Sequence, residues 1–173
     1  MRIQNKRPFI RRAILTLLLL LSAVLQNTFL GAVKPGILLL IPATVSIAIY
    51  EREFAAFFFG IFSGALWDLA SPATDGVYAL LFALLAFFCG LLAKRVFRNT
   101  PAAAMLLCLL FAAAVNLTAL VYDLVLSGFS GLPAAALKVY LPSAFLTALF
   151  TPLCYFPVRG IEHLLHTGVG TPE

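Results

Sequence analysis

The chain has 173 residues, of which 62% are hydrophobic and only 11% are charged. An ordinary soluble domain is about half apolar and about a quarter charged, so this composition excludes a soluble domain with a buried core. The excess apolar surface must face lipid. The net charge of +5 does not indicate nucleic-acid binding, because the bases lie at the ends of apolar segments rather than along one face.

Six apolar segments follow one another, between a basic tail at residues 1–12 and a polar tail at 159–173. Backbone polar groups cannot stay unpaired in hydrocarbon, and no segment alternates as the strands of a membrane barrel do. The sequence therefore predicts an all-α polytopic membrane helix bundle with about six transmembrane helices. The predicted spans are 13–33, 35–50, 54–70, 77–93, 101–127 and 136–158.

Two of these spans have alternative interpretations, and a third is expected to be irregular. The first follows a basic stretch, as a cleaved signal peptide does, but it is long enough to cross and no clear cleavage site follows it. We therefore predict an uncleaved span. The second is short and contains Pro42, so a kink or a re-entrant shape is open. The last contains three prolines and is expected to be the least regular helix: Pro142, Pro152 and Pro157.

The basic residues predict the orientation. With six spans and a cytoplasmic N-terminus, ten of the twelve lysines and arginines lie on the cytoplasmic side, and only Lys34 and Lys138 lie outside. This is the distribution that the positive-inside rule describes, and it places both termini in the cytoplasm. Five spans would move only Arg159 and leave the C-terminus outside, so charge alone does not decide between five and six.

Polar side chains inside the predicted spans gather in the outer half of the membrane. Four of them lie about 20 Å from the cytoplasmic entries at a helix rise of about 1.5 Å per residue, and two lie further out. An acid in mid-membrane costs about 2.5–3.5 kcal/mol, so the aspartates should face other helices or the outer water. These groups either hold the bundle together or form an outward-facing pocket or docking surface: Gln26, Asn27, Asp68 and Asn116, then Asp123 and Lys138.

Small residues repeat every four positions in the third segment, at Ala56, Gly60 and Gly64. Such spacing puts them on one helix face, where two backbones can approach closely. We predict a close-packing face, against either another helix of this chain or a partner.

Motifs for catalysis, cofactors or metals are missing from the sequence. Cys89, Cys108 and Cys154 lie in apolar runs without metal-ligand spacing and are interpreted as small apolar packing residues. His163 and His166 are interpreted as solvated residues of the tail. We predict no catalytic, cofactor or metal site.

The order of motifs in the first half resembles the rod shape-determining protein MreD family. The first span ends in Gln26-Asn27, a Pro-led apolar run follows from Lys34, and the third span reads Gly60-Ile61-Phe62-Ser63-Gly64-Ala65-Leu66-Trp67-Asp68 before a short turn. The resemblance covers about residues 13–95, and the chain length and span number also match. In the family pattern, the signature positions are Gly60, Gly64, Asp68 and Gly76.

The resemblance implies a non-enzymatic subunit of the bacterial cell-elongation machinery, the elongasome, in the inner membrane. Such a protein would bind MreC and link MreB filaments to peptidoglycan synthesis, with no cofactor and no small-molecule ligand expected. One alternative is the substrate-binding subunit of an energy-coupling vitamin transporter, with the outer polar residues as its pocket. A third is an intramembrane enzyme, for which Asp68 and Asp123 are the candidates.

Overall fold

The computed structural model describes residues 7–30, 38–70, 76–95, 101–127 and 140–164, and every regular element in these ranges is helical. Lys34, Lys138 and His166 lie outside the described residues, and so do residues 71–75 of the short turn predicted after the third span and the side chains of Asp123 and His163.

The described ranges form seven α-helices. Five helical stretches are long and apolar enough to cross a membrane: Phe9–Thr28, Glu53–Ala70, Val77–Arg95, Pro101–Tyr122 and Leu141–Glu162. The predicted all-α polytopic membrane bundle is confirmed, as five long spans and one shorter apolar helix. In chain order the helices are α1 (Arg7–Leu25, continued by a π-helical turn, Gln26–Leu30), α2 (Leu40–Tyr50), α3 (Glu53–Ala70), α4 (Val77–Arg95), α5 (Pro101–Ser127), α6 (Leu141–Leu149) and α7 (Thr151–Leu164).

Helix α2 forms the centre of the bundle. Every residue from Leu40 to Ile49 is buried, and α2 contacts each of the other six helices. A helix that is apolar on all sides can be surrounded by lipid or by other helices, and here other helices surround it. At about 1.5 Å per residue its 11 residues measure about 16 Å, roughly half the hydrocarbon thickness, so α2 alone does not span the membrane.

Prolines lie in both segments for which the sequence predicts irregular helices, with different consequences. Pro42 does not interrupt α2, because it lies in the first helical turn, where a missing N–H removes no hydrogen bond. Between α6 and α7 the helix breaks at Phe150, since Pro152 cannot donate to the carbonyl of Ala148, four residues earlier. The hydroxyl of Thr151 donates across the break to the Thr147 carbonyl, at 3.5 Å.

Helices α3 and α4 form a tight hairpin along the predicted small-residue face. A Cβ built on Gly60 would lie 2.7 Å from Ala83 Cα, and one built on Gly64 would lie 2.5 Å from Ala79 Cα. Lower in the hairpin, Ala56 faces Gly90, whose added Cβ would lie 3.5 Å from the Ala56 Cβ. The two backbones therefore meet where side chains are absent, which maximises van der Waals contact between membrane helices.

Large apolar side chains cover the outside of the peripheral helices. They occur on α1, α3, α4, α5, α6 and α7, as expected for a surface whose solvent is lipid. Examples, one or two per helix, are Leu17 and Leu21, Phe58, Leu80, Leu110, Phe145 and Leu153.

We predict that Gly64→Ala destabilises the protein by about 1–3 kcal/mol, because the added methyl group meets the backbone of α4. The measurement is equilibrium unfolding of the purified chain in mixed micelles. Gly160→Ala is the matched control, since a Cβ there meets nothing within 4 Å, and alanine favours the helix. Equal losses at the two positions would contradict the packing described for the hairpin.

Candidate functional sites at the two ends of the bundle

The described polar contacts between different helices lie mainly at the two ends of the bundle. Helices α1 and α3 begin near Arg11 and Glu53, where α4 and α7 end, and we call this the basic end. The opposite end holds Gln26 and Asp68. The two ends differ in chemistry, since the basic end carries ion pairs and the opposite end carries bonds between side chains and backbone.

At the opposite end, two side chains satisfy backbone donors at the start of α2. The Leu40 N–H donates to Gln26 Oε1 at 2.8 Å, and the Leu38 N–H donates to Thr147 Oγ1 at 3.2 Å. The first four N–H groups of any helix lack intrahelical acceptors, and in hydrocarbon an unpaired donor costs several kcal/mol. These two bonds allow the short central helix to begin inside the bundle.

Asp68 does the same for α4. Its carboxylate accepts from the Ala79 N–H at 2.9 Å and from the Tyr78 N–H at 3.4 Å, at the first turn of that helix. The negative charge also lies at the positive end of the α4 dipole, where it is stabilising. Gly76, just before α4, has φ +84°, a left-handed conformation that glycine adopts without strain.

Asn116 connects α5 to the start of α6. Its Nδ2 donates to the carbonyl of Tyr140 at 3.0 Å. Gln26, Asp68 and Asn116 therefore each bond to backbone where another helix begins. Asn27 is exposed in the π-helical turn, while Lys138 and the Asp123 side chain fall outside the description.

The basic end contains a buried ionic network that the sequence analysis missed. Arg11 Nη1 donates to both carboxylate oxygens of Glu162 at 2.9 Å, and Arg11 Nη2 donates to Glu51. Glu51 is 1% exposed and Arg11 is 9% exposed. The network joins α1, the α2–α3 link and α7. Helix α1 begins at Arg7, six residues before the predicted span. Arg11 therefore lies within the helix, where the two carboxylates neutralise its charge among packed side chains.

Sequence reasoning assigned Arg11 only to the basic tail that sets orientation, because its partners are 40 and 151 residues away. The signal in the sequence was the presence of acidic residues close to the basic ones in a chain with few charged residues. Arg11 Nε is the one buried side-chain polar atom without a hydrogen-bond partner among the described residues. An incompletely bonded buried ion pair contributes little net stability, so the network is better suited to fixing how α1 docks.

A second ion pair at the basic end joins the ends of the hairpin. Lys94 Nζ donates to Glu53 Oε1 at 3.2 Å, and both side chains are partly exposed. Exposed pairs contribute at most about 1 kcal/mol. The α3–α4 hairpin is thus connected by polar contacts at both ends and by close backbone packing between them.

Within the described ranges, no group of three or more His, Cys, Asp or Glu side chains is arranged to hold a metal ion. The three cysteines are buried and unbridged. These features define a multi-pass membrane protein whose described polar side chains serve mainly contacts between helices.

The model of one protein family, described as rod shape-determining protein MreD, matches residues 6–164. The chain belongs to this family of shape-determining membrane proteins, and the match extends through the second half, beyond the region of motif resemblance. Comparisons with curated proteins and with solved structures gave no match.

We predict that Arg11→Met destabilises the protein by roughly 3–5 kcal/mol, because it leaves two carboxylates without their buried counter-charge. Unfolding in mixed micelles measures the loss, and the triple variant Arg11→Met/Glu51→Gln/Glu162→Gln should recover most of it. Lys94→Met, which removes the exposed pair, is the control and should cost at most about 1 kcal/mol. Similar losses for Arg11→Met and Lys94→Met would contradict a buried network.

Proposed function

We propose that this protein is a non-enzymatic scaffold subunit of the bacterial cell-elongation machinery, located in the inner membrane. In this role it binds MreC and, through MreC, connects MreB filaments to the enzymes of peptidoglycan synthesis. The observation that carries the proposal is membership of the MreD family over residues 6–164.

The distribution of polar groups supports a scaffold. Gln26, Asp68 and Asn116 each bond the backbone of a neighbouring helix, which leaves fewer polar atoms to bind a ligand or to react. Rigid helix starts and a buried central helix suit a protein whose task is to hold a fixed shape for a partner.

The surface proposed for MreC is the large apolar exterior rather than the glycine face. Gly60 and Gly64 are already covered by α4, so a partner helix cannot reach them without separating the hairpin. A single-span partner packs by van der Waals contact, and the outer faces of α1, α3, α5 and α6 offer large side chains for it. In this proposal the family signature maintains the scaffold, and the exterior binds the partner.

The test is site-specific photocrosslinking in living rod-shaped cells that depend on this protein. A photoreactive phenylalanine analogue replaces one exposed residue per candidate face: Leu21 on α1, Phe58 on α3, Leu110 on α5 or Phe145 on α6. We expect light-dependent adducts with MreC from one contiguous face. Buried Leu19 and Phe111 are the matched controls on α1 and α5, and they should give none.

The proposal fails if no exposed position yields an MreC adduct while each variant still supports rod shape. It also fails if the buried controls crosslink as strongly as the exposed positions, since that result indicates collision rather than docking.

A further inference from the structure

The charges at the basic end are unevenly neutralised. Three carboxylates lie there among the described residues, and two bases bind all of them: Arg11 holds Glu51 and Glu162, while Lys94 holds Glu53. Four exposed arginines form no ion pair with any described residue: Arg12, Arg52, Arg95 and Arg159. We call these four the arginine ring.

The four arginines of the ring lie on three helices and on the link between α2 and α3. Arg12 and Arg52 directly follow Arg11 and Glu51 of the buried network, and Arg159 lies one helical turn before Glu162 on α7. Arg95 ends α4, next to the Lys94 that binds Glu53. The two ionic contacts thus hold four unneutralised guanidinium groups at one end of the bundle, at the margin of its apolar surface.

Exposed phenylalanines lie two to seven residues from three of these arginines, further into the apolar part of the bundle. Phe156 is 60% exposed and precedes Arg159 by three residues, which puts both on one face of α7. The phenyl group of Phe156 lies about 4.5 Å further into the bundle than Arg159. Phe54, 76% exposed, lies two residues past Arg52 as α3 enters the bundle. On α4, Phe88 precedes Arg95 by two helical turns and is also exposed.

The arginines match the phosphate head group of an anionic phospholipid, and the phenylalanines match its acyl chains. The guanidinium group presents a planar fork of donors that fits a phosphate bidentately. Basic residues between transmembrane helices on the cytoplasmic side bind anionic head groups. An acyl chain of the same lipid can lie along a neighbouring exposed phenylalanine side chain. A soluble acidic protein would match the charge but would have no contact with phenylalanines at membrane depth.

We propose that the arginine ring binds the phosphate groups of anionic phospholipids, with Phe54, Phe88 and Phe156 contacting their acyl chains. The protein thereby gathers anionic lipid around its basic end. This binding is a property of the chain alone and requires no partner protein.

The test measures lipid binding to the purified full chain in neutral detergent by native mass spectrometry. Phosphatidylglycerol and phosphatidylcholine with identical acyl chains are the probes. We expect at least about tenfold tighter binding of phosphatidylglycerol, and about a fivefold loss for each arginine replaced by glutamine. The quadruple variant Arg12→Gln/Arg52→Gln/Arg95→Gln/Arg159→Gln should lose the preference and still bind phosphatidylcholine as before.

Two controls separate the ring from the other charged side chains at this end and from a site for free phosphate. Glu53→Gln/Lys94→Gln removes an ion pair at the same end without changing net charge, and it should bind phosphatidylglycerol like the unmodified chain. Inorganic phosphate should displace the lipid no better than chloride at equal ionic strength. Phe54→Ser/Phe156→Ser, with every arginine present, should weaken phosphatidylglycerol binding because the acyl contact is reduced.

The proposal is overturned if the unmodified chain shows no preference for phosphatidylglycerol, or if the quadruple variant keeps the preference. Displacement by inorganic phosphate would equally overturn it, since the site would then recognise a free anion. If the quadruple variant does not fold, the four single variants decide, and an unchanged affinity in all four rejects the ring.

Discussion

Hydrocarbon offers no water to a backbone N–H group, and this constraint governs where the helices of this protein can begin. Helix α2 starts within the bundle, where the Leu40 N–H donates to Gln26 and the Leu38 N–H, two residues before the helix, donates to Thr147. Helix α4 starts beside Asp68, whose carboxylate accepts from its first turn. The polar residues at the end opposite the basic end are therefore part of the architecture, because they allow a short, buried helix to stand at the centre of longer ones.

Close backbone packing holds helices α3 and α4 together. Burial of apolar surface does not drive helices together in lipid, so α3 and α4 associate through contact at Gly60 and Gly64. Asp68 lies two turns beyond Gly60 on the same face, which places its carboxylate over the end of the helix that the glycines bring near. Glycine spacing, aspartate and the left-handed Gly76 thus act together in one hairpin. This joint role gives the spacing of these four residues a structural reason.

Hydropathy predicted the long helices because each is a continuous apolar run, and the length of such a run indicates whether the helix can cross the membrane. It did not predict that α2 is central, since a run that is apolar on all sides looks the same whether lipid or protein surrounds it. The four-residue spacing indicated a packing face but not the identity of α4 as the neighbour. The Arg11 network could not be derived from spacing, because Glu51 and Glu162 approach it only after the bundle closes. Ion pairs between residues distant in sequence can be identified only from the tertiary structure.

Side chains from neighbouring helices satisfy the backbone donors at the starts of α2 and α4. Residue-resolved hydrogen exchange of the full chain in lipid nanodiscs measures whether these donors are protected. The Leu40 and Ala79 amides should exchange as slowly as amides in the middle of α4, and Gln26→Leu should accelerate Leu40 while leaving Ala79 unchanged. Asp68→Leu should do the reverse. Rapid exchange of both amides in the unmodified chain, or no response of Leu40 to the loss of Gln26, would contradict the account.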